Sequence, residues 1–123
     1  MTYFSKHRQL QKDLYIKKDL GIQNSTTPWV PQRNIIINSI KVKAYTTPTG
    51  TGSTTIRIYK NRTESDEEII ADLALTNTQS TAETSSSFIK KIDSGEKITY
   101  SITTTTSIHP GSDAIISFNY ENE

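Results

Sequence analysis

From Asn34 onward, apolar and polar residues alternate with a period of two, the spacing of a strand with one buried face. Ile36, Ile40, Val42 and Ala44 share one face, and Ser39, Lys41, Lys43 and Tyr45 the other. Ile35 and Ile37 break the rule and predict that the first part of this strand is covered on both sides. Residues 46–53 hold two glycines able to take positive φ and predict a turn. A second strand over 54–60 points Ile56 and Ile58 inward and Thr55, Arg57 and Tyr59 outward. Residues 61–68 are polar and acidic, a loop, and 69–75 are apolar enough for a third strand, although 67–75 also tolerate a helical turn. A Ser/Thr-rich connection over 77–87 leads into Phe88-Ile89, a short edge-like strand, and Asp93-Ser94-Gly95-Glu96 reads as a tight turn. The longest clear strand spans 97–107, with Ile98, Tyr100 and Ile102 on one face and four threonines, 103–106, extending it. After the turn at 109–112, the final strand over 113–120 aligns Ala114, Ile116, Phe118 and Tyr120. Short strands at regular spacing with no helix between them predict a sandwich or barrel.

The first 33 residues follow another pattern. Between Ser5 and Leu20 the side chains are mostly straight and charged. Leu10 and Leu14 stand four apart, and Tyr3 and His7 continue that stripe, which predicts a short amphipathic helix or a disordered arm ended by Gly21. Residues 24–31 are turn-rich, and Pro28 and Pro31 disfavour helix at the residues before them. The sole tryptophan, Trp29, lies between these prolines, either as a plug over the end of the core or as an anchor for a partner. The expected division is an N-terminal arm or anchoring segment over 1–33 and a β-sandwich domain over 34–123.

Composition narrows the picture. The 123 residues are 33% hydrophobic and include 19 Thr, 14 Ser and 17 Ile, a β-branched bias that argues against an all-helical bundle. Cysteine is absent, which excludes a disulfide framework and Cys-ligated zinc or iron–sulfur sites within this sequence. No stretch approaches the ~18 apolar residues of a membrane span. The opening residues have no apolar core of a signal peptide, so synthesis in a cytoplasm without one is expected. Net charge is only +1, which argues against a dedicated nucleic-acid binder. Locally the charge is uneven: residues 1–20 carry five cations against two carboxylates, and 61–72 carry Arg62 against five carboxylates.

Catalysis needs a nucleophile, a base and an orienting group that can meet. His7 falls in the arm and His109 in a turn, and neither has a neighbouring motif. Glu64, Asp66, Glu67 and Glu68 form the only dense carboxylate set, which reads as a solvated patch. Calcium remains open there, without the glycine or spacing of an EF-hand. Gly50-Thr51-Gly52-Ser53-Thr54 leads into a strand and lacks the Gly-Lys-Ser/Thr of a phosphate loop. Asn24-Ser25-Thr26 and Asn61-Arg62-Thr63 fit the glycosylation sequon by coincidence. No enzyme activity, cofactor or metal is expected.

Four segments carry a resemblance. Residues 40–50 (IKVKAYTTPTG), 56–61 (IRIYKN), 93–99 (DSGEKIT) and 110–116 (PGSDAII) resemble, in order and spacing, a β-sandwich module common in virion proteins of tailed bacteriophages. Two features depart from it: Asn61 is followed by Arg62 where the family has Asn-Gly, and the last turn contains His109-Pro110. The resemblance implies an all-β, jelly-roll-like antiparallel β-sandwich with an N-terminal extended or partly helical arm. It implies a structural protein of the phage particle, a capsid decoration or head-fibre protein, and supplies no catalytic residues. The arm would dock on other virion proteins of capsid, collar or tail through Leu10, Leu14, Lys17, Lys18, Trp29 and Val30. A dimer or trimer would protect strand edges. The alternative is a tail or baseplate module that binds host-surface polysaccharide through exposed tyrosines, Tyr45 and Tyr59 first, with Tyr100 a further candidate.

Overall fold

The computed structural model describes residues 9–25 and 27–123, and among them it is built of strands and turns without a helix. The strands are β1 (Leu10–Asp19), β2 (Gln23–Asn24), β3 (Ile35–Thr46), β4 (Thr54–Lys60), β5 (Glu68–Leu75), β6 (Thr81–Glu83), β7 (Lys90–Ile92), β8 (Ile98–Thr104) and β9 (Ser112–Asn122). They form two antiparallel sheets. One has the order β1-β9-β3-β6, with β7 also paired to β3, and the other has the order β2-β8-β4-β5. The expected β-sandwich is therefore present.

The core lies between the sheets. Ile40, Val42, Ala44, Ala114, Ile116 and Phe118 come from the five-stranded sheet, and Ile56, Ile58, Leu73, Leu75, Ile98 and Ile102 from the four-stranded one. Alternation decides which residues enter: each strand of a two-layer sandwich offers every second side chain to the facing sheet. In β4 this places Ile56 and Ile58 inside, as their spacing predicts, with Thr54 completely buried beside them. Thr54 is satisfied there because its hydroxyl donates to the Pro110 carbonyl at 2.7 Å and meets Thr104 Oγ1 at 3.0 Å.

Several expectations need correction. The helical arm is not seen over residues 10–20: β1 is an edge strand paired antiparallel to β9, with Leu10 opposite Tyr120 and Leu14 opposite Ile116. A spacing of four is shared by a helix and by one face of a strand. The discriminating residue is Ile16, two beyond Leu14, which is buried. The register shifts between Ile16 and Asp19, and just beyond the strand Leu20 is buried in the core, its amide donating to the Gly111 carbonyl at 2.8 Å. The segment expected as an anchor thus supplies β1 to one sheet and β2 to the other.

In β3 the explanation for Ile35 and Ile37 is a bulge, not cover on both sides. The register shifts between Ile37 and Ser39, so Ile35 and Ile37 point into the core before the shift, and Ile40, Val42 and Ala44 after it. Ile36 stays half-buried. Phe88-Ile89 is irregular, and the strand lies two residues later at Lys90–Ile92, where Ile92 enters the core. The connection over 77–87 contains β6, and β8 ends at Thr104 short of the last two threonines. The 61–68 loop, the 93–96 turn and the final strand are as predicted.

Candidate functional site

The acidic loop shows first what the surface does not do. Asn61 takes a left-handed φ of 52°, which a short amide side chain tolerates, and turns the chain where the resembling family has Asn-Gly. Its buried side chain ties the loop to the 93–96 turn: Nδ2 donates to Asp66 at 3.0 Å and to Glu96 at 3.1 Å, and Oδ1 accepts from the Lys97 amide at 2.9 Å. Lys60 lies 3.2 Å from Glu96 and 3.5 Å from Glu68, Lys97 lies 3.4 Å from Glu64, and Lys90 pairs with Glu68. Burial alone would lower the Lys60 pKa, but Glu96 and Glu68 outweigh it and raise it. The contact with Lys90 holds the Glu68 carboxyl below the usual range despite partial burial. Carboxylates committed in this way form a structural clasp at one end of the sandwich. Among the described residues no group of three His, Asp or Glu is placed to hold a metal ion.

His109 is likewise structural, since its Nδ1 accepts from the Gly111 amide at 3.0 Å and its Nε2 lies 3.5 Å from Asp19. His7 falls outside the described residues. Among these no helix is long and apolar enough to cross a membrane.

The residues expected to dock a partner separate into two groups. Trp29 is bridged to β8, its amide donating to Ile98 at 2.9 Å and its carbonyl accepting from Ile98 at 2.8 Å. Its ring lies against Phe118 at 5.1 Å and Tyr120 at 5.3 Å between centroids. Beside it runs a groove of about 420 Å³ that brings Trp29 together with Leu14, Lys12 and Tyr100. Burial pushes the Tyr100 phenol up from its ordinary pKa, and the ring packs on the core. Val30 lines the neighbouring hollow with Tyr120. Lys17 and Lys18 are exposed further along β1, at the far end from Leu10.

Tyr45 and Tyr59 are not brought together. Tyr59 faces outward from the four-stranded sheet under the guanidinium of Arg62, 4.5 Å above its ring, which occupies the face a ligand would use. Tyr45 stands on the outer face of the five-stranded sheet, and its companion there is Tyr15 of β1, with Ile115 in the hollow between them. Tyr15 was missed because a helical reading of residues 10–20 gives it no fixed neighbour. The strand signal was Leu14-Tyr15-Ile16, in which Tyr15 takes the outward turn.

No family model matches this chain, and no curated protein matches it. Solved structures do. The chain is similar to one in the acid-stable capsid structure of Helicobacter pylori bacteriophage KHP30, at 7% identity over 93% of each chain with a TM-score of 0.53. It is also similar to one from Bacillus endospore appendages, described as disulfide-linked pili, at 14% identity over 100% of this chain and 98% of that one, with a TM-score of 0.50. At these identities the likeness is one of fold.

Proposed function

We propose that this chain is a structural protein of a bacteriophage virion, a capsid decoration or head-fibre protein that docks on neighbouring virion subunits. The observation that carries the reading is the end-to-end likeness to a chain of a phage capsid structure, which spans 93% of both molecules. The sheet orders β1-β9-β3-β6 and β2-β8-β4-β5 are those of a jelly roll, with β6 and β7 sharing one strand position. The four sequence segments that resemble phage sandwich modules support the same reading. Pili held by disulfides fit less well, because these 123 residues contain no cysteine.

The mechanism is docking rather than chemistry. Leu14 and Trp29 offer a partly apolar groove, and exposed Lys17 and Lys18 offer charge at one end of the same edge strand. Among the described residues β1 pairs with β9 on one side only, and a dimer or trimer would cover its other edge. The test is to add purified protein to particles that lack it and reconstruct the product. Ordered density for the chain with its β1 side against another subunit is expected, and Lys17→Glu/Lys18→Glu should reduce occupancy while leaving the melting temperature unchanged. A protein absent from purified particles and unable to join them would overturn the proposal.

A further inference from the structure

The outer face of the five-stranded sheet is a trough. Its floor is the outward side of β9, where Asp113, Ile115, Ser117 and Asn119 present mostly short side chains. Longer side chains flank it on both sides: Gln11, Asp13, Tyr15 and Lys17 on β1, and Lys41, Lys43 and Tyr45 on β3. The register fixes this arrangement, with Tyr15 and Lys43 both opposite Ile115, and Asp13 and Lys41 both opposite Ser117. Two hollows of about 430 Å³ and 300 Å³ meet at Ile115 and run along β9. From Asp113 to Asn119 the floor is ~20 Å long at the rise of a strand, enough for an extended run of sugar rings.

The lining combines two exposed rings with exposed cations. Tyr15 and Tyr45 are 59% and 71% exposed, at outward positions that the alternation of β1 and β3 fixes. Lys17, Lys41 and Lys43 are exposed and make no ion pair among the described residues, whereas Lys60, Lys90, Lys91 and Lys97 all do. We propose that this trough binds an extended acidic saccharide, lying along β9 between the two tyrosines. The C–H faces of sugar rings carry the partial positive charge that the face of a tyrosine attracts. The lysines on the β3 wall meet the carboxylates of the sugar, and Asp13, Asp113 and Asn119 accept or donate hydrogen bonds to its hydroxyls.

Other occupants fit less well. A second copy packed on this face would bury Lys41 and Lys43, and protein interface cores are depleted in lysine. A single-stranded nucleic acid would also use stacking and cations, but the chain's net charge is only +1, without the strongly basic face that such binders carry. The trough lies on the sheet face beside the Leu14–Trp29 groove and shares Asp13, Tyr15 and Lys17 with the β1 side that docking would use, so it is the β3 wall, Lys41, Lys43 and Tyr45, that separates the two readings.

The experiment is calorimetric titration of the full chain with tetragalacturonate, maltotetraose and a short oligothymidylate. Binding of the acidic tetrasaccharide is expected, weakening as salt rises, with weaker or no binding of the other two. Tyr15→Ala and Tyr45→Ala should each weaken it about tenfold, the scale of one lost aromatic contact in a polar site. Lys41→Ala/Lys43→Ala should narrow the preference for the acidic over the neutral sugar. Tyr59→Ala should leave binding unchanged, and circular dichroism of each variant reports that it is folded. Failure of all saccharides to bind, tighter binding of the oligothymidylate, or binding insensitive to both tyrosines would each overturn the proposal. If no saccharide binds but Tyr15→Ala stops incorporation into particles, the face is a protein interface and the saccharide reading falls alone.

Discussion

Ile16 tests whether the N-terminal strand belongs to the fold or is an arm carried by it. Its side chain is 2% exposed in the core, on an edge strand that a sequence reading places outside the domain. Replacing a buried isoleucine by alanine removes the transfer free energy of its lost atoms and leaves a cavity, at a cost of ~3 kcal/mol. For a domain of this length the unfolding entropy is ~0.26 kcal/mol per kelvin, so Ile16→Ala should lower the melting temperature by ~12 °C. The cost is a sizeable share of the ~5–15 kcal/mol that holds a domain together. Leu20→Ala should behave alike, because Leu20 is completely buried after the register shift. Tyr15→Ala, one residue from Ile16 but pointing outward, should change stability by less than ~0.5 kcal/mol. Urea unfolding followed by the fluorescence of Trp29, the single tryptophan, reads all three against wild type. If Ile16→Ala melted within a degree or two of wild type with an unchanged m-value, β1 would be dispensable and the placement of the first strand refuted.

Two further predictions concern backbone and charge. Gly52 and Gly95 both have positive φ, near 90°, but a Cβ on Gly52 would lie 2.4 Å from the Thr105 carbonyl oxygen, whereas one on Gly95 meets nothing. Gly95→Ala should therefore cost only the ~1–2 kcal/mol of the left-handed backbone, and Gly52→Ala clearly more; equal costs in thermal melts would refute the contact. The Glu68 carboxyl is held low by its contact with Lys90, so the stability it contributes is present above about pH 4.3 and lost as pH falls through its lower folded value. The gap in urea midpoint between wild type and Glu68→Gln should shrink from pH 7 to pH 3 and be reduced by salt, since Glu68 is partly exposed. A gap constant across that range would exclude the linkage.

The period-two alternation in residues 54–60, 98–102 and 113–120 is a local property, because side-chain direction in a strand follows from the backbone alone. Those strands, their inward residues, the glycine turns and the all-β class were accordingly legible. Residues 10–20 were not, because Leu10 and Leu14 satisfy helix and strand spacing equally. The partner that makes them a strand, β9, lies about a hundred residues away in the chain. Nor could Ile35 and Ile37 be assigned to a face, since the bulge after Ile37 exists only in the pairing with β9. The candidate surfaces divide in the same way. That Tyr45 and Tyr59 point outward follows from their own strands, but that Tyr59 lies under Arg62 while Tyr45 faces Tyr15 across Ile115 depends on which strands neighbour them. The chain's pattern by itself determined strands, turns and the inward side of most of them. Only the tertiary structure decided sheet order and register, because hydrogen bonds between distant strands, not local preference, set which outward side chains share a surface.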